Sequence, residues 1–68
     1  MIEKVKEIYI EFRLDVYINP KEYRDNPSYE IKEGCLFIEI EKVLLQSYYK
    51  NTEIFPLNNI LSIKIKRE

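Results

Sequence analysis

Residues 8 to 18 read Ile-Tyr-Ile-Glu-Phe-Arg-Leu-Asp-Val-Tyr-Ile, and this stretch decides the fold class. Its even-numbered positions are all aliphatic or aromatic, whereas its odd-numbered positions carry tyrosine or charge. Because successive side chains of a strand point to opposite faces, this period of two is typical of a strand with one buried face. A helical seam also runs through the region, but a helix would scatter most of the aliphatic residues around its circumference. The sequence therefore predicts a strand from about Val5 to Ile18, with residues 1 to 4 frayed or forming one helical turn.

Shorter strands and turns are predicted through the middle of the chain. The segment from residue 19 to residue 28 lacks periodicity and contains two prolines, which predicts a loop. Residues 29 to 32 are expected to form a short strand, and residues 33 and 34 a tight turn, because Gly34 adopts positive φ at no steric cost. Apolar residues at every second position from residue 36 to residue 40 predict the next strand.

The second half of the chain interrupts this alternation before it resumes. Residues 43 to 49 are apolar on both faces of a predicted strand, which is typical of a strand that is covered twice or faces a partner. Residues 50 to 53 are predicted to form a hairpin loop, and residues 54 and 55 a short strand. A turn or single 3₁₀ turn is expected over residues 56 to 59, followed by a last strand over residues 61 to 66.

Composition supports the same fold class. The chain has 68 residues, among them eleven isoleucines and six tyrosines, and it contains no alanine. Isoleucine and tyrosine favour strands, and a chain of this length has room for one domain. We therefore predict a single all-β domain over residues 1 to 68, built as a small antiparallel barrel or strongly bent sheet of five or six strands.

The end of the chain resembles a known β architecture. From Ile54 to Ile65, a short strand, a proline-led 3₁₀ turn and a final alternating strand resemble the ending of small SH3-type and Sm-type barrels. The resemblance implies a small barrel and nothing about ligands. The tryptophan that SH3 domains use for their ligands is missing, as are the glycines of Sm RNA-binding loops, so no site residue is carried over.

The residue inventory predicts no catalytic site, no cofactor and no metal. The chain lacks histidine, the usual general base and a frequent zinc ligand, and its single glycine cannot build a phosphate-binding loop. Cys35 has no neighbouring base in the sequence pattern to activate it. Glu39 and Glu41 share one strand face, where paired carboxylates ordinarily belong to a solvated surface.

Charge and hydropathy bear on partners and location. With 12 acidic and 11 basic residues, the net charge of −1 creates no general attraction for nucleic acid or anionic membranes. No apolar run approaches the ~20 residues that span a bilayer, and the first residues are too charged for a signal peptide. Together with the lone cysteine, these features predict a cytoplasmic protein without membrane contact.

Seven side chains are candidates for binding a partner. Most are aromatic residues on predicted outward strand faces, and two lie in the predicted loop, where an aromatic and a cation would protrude. They are Tyr9, Tyr17, Tyr23, Arg24, Phe37, Tyr48 and Tyr49. Exposed aromatic side chains give large contact area at little entropic cost, so they concentrate at protein interfaces. Cross-strand stabilisation of the sheet is the alternative role for the strand aromatics.

Self-association is predicted from the small core. A chain of this length buries only about 60% of its unfolded surface, so it usually needs a disulfide, a metal or a partner chain. One cysteine and no histidine leave the partner chain, and residues 43 to 49 offer an apolar segment for it. The sequence thus predicts a homodimer.

The function predicted from these observations is non-catalytic binding of another macromolecule, with a protein as the expected partner. The small size and the many isoleucine, lysine, asparagine and tyrosine residues suggest an accessory or inhibitory protein of a phage or mobile element.

Two other functions stay open. Single-stranded nucleic acid could stack on Tyr9, Tyr17 and Phe37. The cations for its phosphates would be Arg13, Lys64, Lys66 and Arg67. A small ligand bound within a homo-oligomer interface is the other alternative.

Overall fold

The computed structural model describes residues 1 to 68, except for the side chain of Leu44. The described residues form seven strands and two 3₁₀ helices. The strands are β1 (Glu3–Lys4), β2 (Glu7–Phe12), β3 (Lys21–Tyr23), β4 (Ser28–Lys32), β5 (Cys35–Leu44), β6 (Ser47–Pro56) and β7 (Ile60–Lys66). The 3₁₀ helices cover Leu14–Val16 and Leu57–Asn59. The prediction of an all-β chain is confirmed.

The strands form two antiparallel sheets. One has four strands in the order β1-β4-β5-β6, and the other has three in the order β3-β2-β7. The strand count exceeds the predicted five or six because β1 has two residues and β3 has three, too few to show a period in the sequence. Consecutive strands β1 and β2 lie in different sheets, and this crossing of the chain ties the sheets together.

The core lies between the sheets and is built from the alternating residues. Ile8 and Ile10 of β2 and Leu36 and Ile38 of β5 have no measurable exposure, and Phe12 retains 6%. Full burial of each such side chain contributes about 1.5–3 kcal/mol. The even-numbered face of the strand predicted from residue 8 is therefore the main buried face of the three-stranded sheet.

The predicted first strand is too long. It ends at Phe12, because the register of β2 with β7 ends where Phe12 meets Ile60, and no strand continues beyond it. The Arg13 N–H donates to the Asn59 carbonyl at 2.9 Å, and the chain then turns into a 3₁₀ helix. Leu14 is consequently 93% exposed rather than buried. Residues 3 and 4 form β1 and not a helical turn.

The predicted loop from residue 19 to residue 28 contains a strand. Residues 21 to 23 fold back onto β2, with Tyr23 opposite Ile8, and Ser28 already belongs to β4. The turn over Glu33 and Gly34 is confirmed, and both residues have positive φ, as a type I′ turn requires.

The hairpin loop predicted over residues 50 to 53 is wrong. These residues lie within β6, and the turn between β5 and β6 is Leu45-Gln46. The ladder from Cys35 opposite Pro56 to Leu44 opposite Ser47 continues without interruption. Continuous backbone hydrogen bonding along this ladder overrides the turn preference of Asn51.

The predicted 3₁₀ turn before the last strand is confirmed, and so is the strand itself. The alternation in β7 holds for Ile63 and Ile65, which pack against the core. Leu61 is 67% exposed because the register between β2 and β7 shifts at Glu11 and Phe12. This bulge places Ile60, and not Leu61, against the core.

A charged network joins the two ends of the chain to β4. Glu3 accepts hydrogen bonds from Arg67 Nε at 2.7 Å and from Tyr29 Oη at 2.9 Å. These two hydrogen bonds, that from Arg67 first, hold the pKa of Glu3 below its usual value. A hydrogen bond from the Met1 ammonium likewise lowers the pKa of Glu30.

We expect acid to weaken the fold through this network. The folded-state pKa of Glu3 lies below its unfolded value of about 4.3, so its contribution is complete above that pH and is lost as the pH falls further. Glu3→Gln should lower the melting temperature at neutral pH and have little effect at roughly pH 2. Circular dichroism melts at both values measure this. Glu33→Gln, in the exposed turn, is the control, and an equal response of both variants would contradict the prediction.

Candidate functional site

The hairpin of β5 and β6 extends well beyond the core. Each strand has ten residues, but the fully buried side chains of β5 are Leu36 and Ile38, near its start. The molecule measures 41 Å along its longest axis and 24 and 23 Å across. We call residues 41 to 50, which project roughly 15 Å at the rise of a strand, the arm.

The end of the arm is apolar and exposed. Leu45 is fully exposed, and Val43, Tyr48 and Tyr49 have exposed fractions of 72%, 63% and 51%. Residues 43 to 49 carry no charge, whereas Glu41, Lys42 and Lys50 directly precede or follow them. Contiguous exposed apolar residues with a polar rim are typical of an interaction site.

Both faces of the arm contribute to this surface. Val43 lies opposite Tyr48 on one face, and Lys42 lies opposite Tyr49 on the other. The two adjacent tyrosines therefore point to opposite sides of the ribbon, and both stay exposed because the arm lies past the core. The expectation that residues 43 to 49 lie in one strand is wrong, because Leu45-Gln46 forms the turn between β5 and β6; the apolar residues around it lie at the end of a hairpin.

Leu45 is the residue that sequence reasoning did not single out. It occupies the first turn position with φ of 58°, in the left-handed region. A left-handed backbone costs a side-chain-bearing residue about 1–2 kcal/mol, and glycine, asparagine or aspartate is the usual choice in such turns. The sequence feature that could have identified this turn is the interruption of the apolar alternation at residues 43 to 45, because such an interruption marks the end of a strand.

The other predicted aromatics do not join the arm. Tyr9 lies half-buried on the outer face of β2, with Lys64 Nζ 5.7 Å from its ring centroid. Phe37 lies on the outer face of the four-stranded sheet, with Lys32 Nζ 4.9 Å from its ring centroid. Tyr17 is 93% exposed, but it follows a 3₁₀ helix and does not lie on a strand face. The predicted set is therefore dispersed over several surfaces.

Tyr23 is not a surface residue, which corrects its assignment as a partner-binding side chain. Pairing with Ile8 turns its ring into the core, where it is 9% exposed, and its hydroxyl donates to Glu53 Oε2. Burial, and then the hydrogen bond to Glu53, raise the pKa of Tyr23 far above its usual value. Arg24 next to it is exposed and forms an ion pair with Glu22 at 2.6 Å.

The cations proposed for nucleic-acid binding are all occupied by carboxylates. Each lies within 4.0 Å of an Asp or Glu oxygen. The pairs are Arg13–Asp15 at 2.9 Å, Lys64–Glu11 at 3.6 Å, Lys66–Glu7 at 3.8 Å and Arg67–Glu3 at 2.7 Å. A phosphate would have to compete with these carboxylates for every cation.

The two larger surface grooves, with volumes of about 400 Å³ and 360 Å³, are lined mainly by charged and polar residues. The groove next to Phe37 and Ile2 has a volume of about 160 Å³, below the roughly 300 Å³ at which ordinary ligand pockets begin. The described residues contain no group of three or more His, Cys, Asp or Glu side chains placed to hold a metal ion.

The buried hydroxyl of Tyr23 gives a testable stability contribution. Tyr23→Phe leaves the Glu53 carboxylate without its tyrosine donor, and we expect the free energy of unfolding to fall by about 1–3 kcal/mol at neutral pH. Because the folded-state pKa of Tyr23 is raised, this contribution is complete below about pH 10 and declines as the pH rises above it. Denaturant unfolding at pH 7 and roughly pH 11 measures both effects.

Tyr49→Phe is the matched control, since it deletes the hydroxyl of an exposed arm residue. It should change the free energy of unfolding by at most about 0.5 kcal/mol. Equal stability of the two variants would show that the hydrogen bond to Glu53 contributes nothing.

Comparisons with protein-family models, curated proteins and solved structures find no match to this chain. None of the helical segments in the described part of the chain has the length and apolar character of a bilayer-spanning helix. The geometry of the arm is therefore the basis on which a function is proposed.

Proposed function

We propose that this chain is a non-catalytic protein-binding module and that the arm is its contact element. The observation that supports the proposal most directly is Leu45, an apolar residue that is fully exposed and has a positive φ. Neither burial nor the conformational preference of the turn accounts for leucine at this position. Contact with a protein partner does, because it would bury the side chain.

The neighbouring residues fit the same role. Val43 and Tyr48 lie side by side on one face, and Tyr49 on the other, so a partner could contact the ribbon from either side. Tyrosine side chains give a large contact area at little entropic cost and are enriched among the residues that dominate interfaces. Pairing of β5 with β6 places these side chains next to one another along the ribbon.

Protein fits the arm better than nucleic acid does. Residues 43 to 49 are uncharged, and binding to nucleic acid depends on cations that neutralise phosphates. The cations of the nucleic-acid alternative are paired with carboxylates. A small apolar ligand would need a second copy of the chain to enclose it, since the groove beside Phe37 is small and the two larger grooves are lined mainly by charged and polar residues.

Two finer expectations belong to the same proposal. The two sheets are proposed to be halves of a small barrel or strongly bent sheet whose ending is SH3-like or Sm-like. Hydrogen bonds from Val5 N–H to Pro27 O and from Lys6 N–H to Lys66 O, where the chain crosses between the sheets, support this. A cytoplasmic role as an accessory or inhibitory protein of a phage or mobile element is supported by the small size and composition alone.

A photo-cross-linking amino acid at position 48 tests the proposal in the producing cell. The matched control carries the same group at position 17, which is 93% exposed but remote from the arm in the fold. We expect a protein adduct from position 48 and none of the same mass from position 17. Mass spectrometry then identifies the protein for binding measurements with purified components.

Charged residues on the arm should abolish that binding. The triple variant Val43→Lys, Leu45→Lys and Tyr48→Lys should weaken it at least about 30-fold, the effect of losing one interface hot spot. Its melting temperature should stay close to that of the parent, because all three side chains are exposed. Unchanged affinity of the triple variant would contradict the proposal. So would an adduct with nucleic acid that no longer forms when the cross-linking is done at moderate salt.

A further inference from the structure

β6 is the last strand of the four-stranded sheet, and one of its edges is free. The strand pairs with β5 along Ser47–Pro56 and has extensive contacts with that strand alone among the described elements. An edge strand of this length presents unpaired N–H and C=O groups, which are a template for another strand. Proteins usually protect such an edge with charge, proline or a short strand.

The hydrogen-bonding pattern identifies which residues face the free edge. Hydrogen-bonded and non-hydrogen-bonded pairs alternate in an antiparallel ladder, and the pair that closes a two-residue turn is hydrogen-bonded. Starting from Ser47, the odd-numbered residues of β6 bond to β5, and the bond from Leu57 N–H to Gly34 O at 2.9 Å continues this series. The even-numbered residues therefore direct their N–H and C=O groups outward. Those with an N–H are Tyr48, Lys50, Thr52 and Ile54, and all four side chains are exposed.

A second copy of the chain complements this edge best in one register. Two identical strands that pair antiparallel in one continuous sheet are related by a two-fold axis perpendicular to the sheet. That axis lies between one residue and the same residue of the other copy, and we name each register by this residue. An axis at Tyr49 would pair only residues 47 to 51 of each strand, and an axis at Glu53 would place two glutamates opposite each other. An axis at Lys50 would place two lysines opposite each other. An axis at Thr52 would place Tyr48 opposite Pro56, which has no N–H to donate to it. An axis at Asn51 places Tyr48 opposite Ile54 and Lys50 opposite Thr52, with no like charges opposed.

The same register gives the apolar end of the arm a place. Tyr48 and Ile54, with exposed fractions of 63% and 54%, would cover each other twice across the axis. Counting outward from Asn51, Leu45 of one copy comes level with the half-buried Leu57 of the other. Lys50 keeps its ion pair with Glu39 at 2.8 Å, because the residue opposite it is an uncharged threonine.

We propose that two copies of this chain join antiparallel through the free edge of β6, about a two-fold axis at Asn51, so that their four-stranded sheets become continuous. The inference rests on the proposed function, because it names a second copy as a protein that the arm binds. It also gives the predicted homodimer a defined interface and register.

Blocking the edge tests the interface. Light scattering after size exclusion, from about 1 µM to about 1 mM, should show growth from the 8.3 kDa monomer to twice that mass. Thr52→Pro removes an N–H that faces the free edge and spares the ladder with β5, so it should stay monomeric throughout. Thr52→Val keeps that N–H and should dimerise like the parent. A circular dichroism spectrum and a cooperative melt verify that each variant folds.

A disulfide tests the register independently of variants that could unfold. With Cys35→Ser as background, Asn51→Cys places two thiols at a non-hydrogen-bonded pair, where Cα atoms lie about 4.5 Å apart, within the span of a disulfide. Thr52→Cys is the matched control, because its symmetry mate lies two residues further along the strand, about 7 Å away along the axis of the strand alone. We expect rapid oxidation to a covalent dimer for the first variant and slow oxidation for the second.

The outcomes separate this inference from the proposed function. A monomer at the highest concentration, or equal oxidation of the two cysteine variants, would overturn the β6 dimer. The proposed function would stand in that case if position 48 still cross-links to a different protein and the charged triple variant loses it. Dimerisation of Thr52→Pro at parental concentration would likewise overturn the interface, whatever the arm binds.

Discussion

The packing of Ile8 and Ile10 on Leu36 and Ile38 is the contact on which the structure depends, because it is where the two sheets meet. A chain of 68 residues can bury few side chains, and this cluster ends well before β5 does. The first half of the hairpin is therefore anchored by burial, whereas the arm is held by its own backbone hydrogen bonds. The division between core and arm follows from the small size of the chain.

An arm without a core beneath it carries residues that folding does not require. Backbone pairing fixes the ribbon but is indifferent to side chains, so Val43, Leu45 and Tyr48 are free to serve contacts with another molecule. A segment with few buried contacts also belongs to the least stable part of a domain. Association through the arm would bury the exposed side chains and stabilise the hairpin at the same time.

Ion pairs between strands argue against nucleic-acid binding, and composition alone does not reveal them. The sequence places Lys64, Lys66 and Arg67 close together near its end, which suggests a basic patch. Strand pairing brings Glu7, Glu11 and Glu3 opposite or beside these cations and neutralises the patch.

Of the arm residues, Tyr48 and Tyr49 could be identified from the sequence, because two adjacent aromatic residues of a strand cannot both face one core.

The sequence by itself determined the all-β class, the buried alternation of β2 and β5, the turn at Glu33-Gly34 and the 3₁₀ turn before β7. These features depend on a period of two and on turn preferences, which are local properties. Tertiary structure decided that β2 ends at Phe12, that Tyr23 turns inward and that the long hairpin reverses at Leu45-Gln46. The reason is that a strand lasts only as long as its partner, and the partner is fixed by residues far away in the chain.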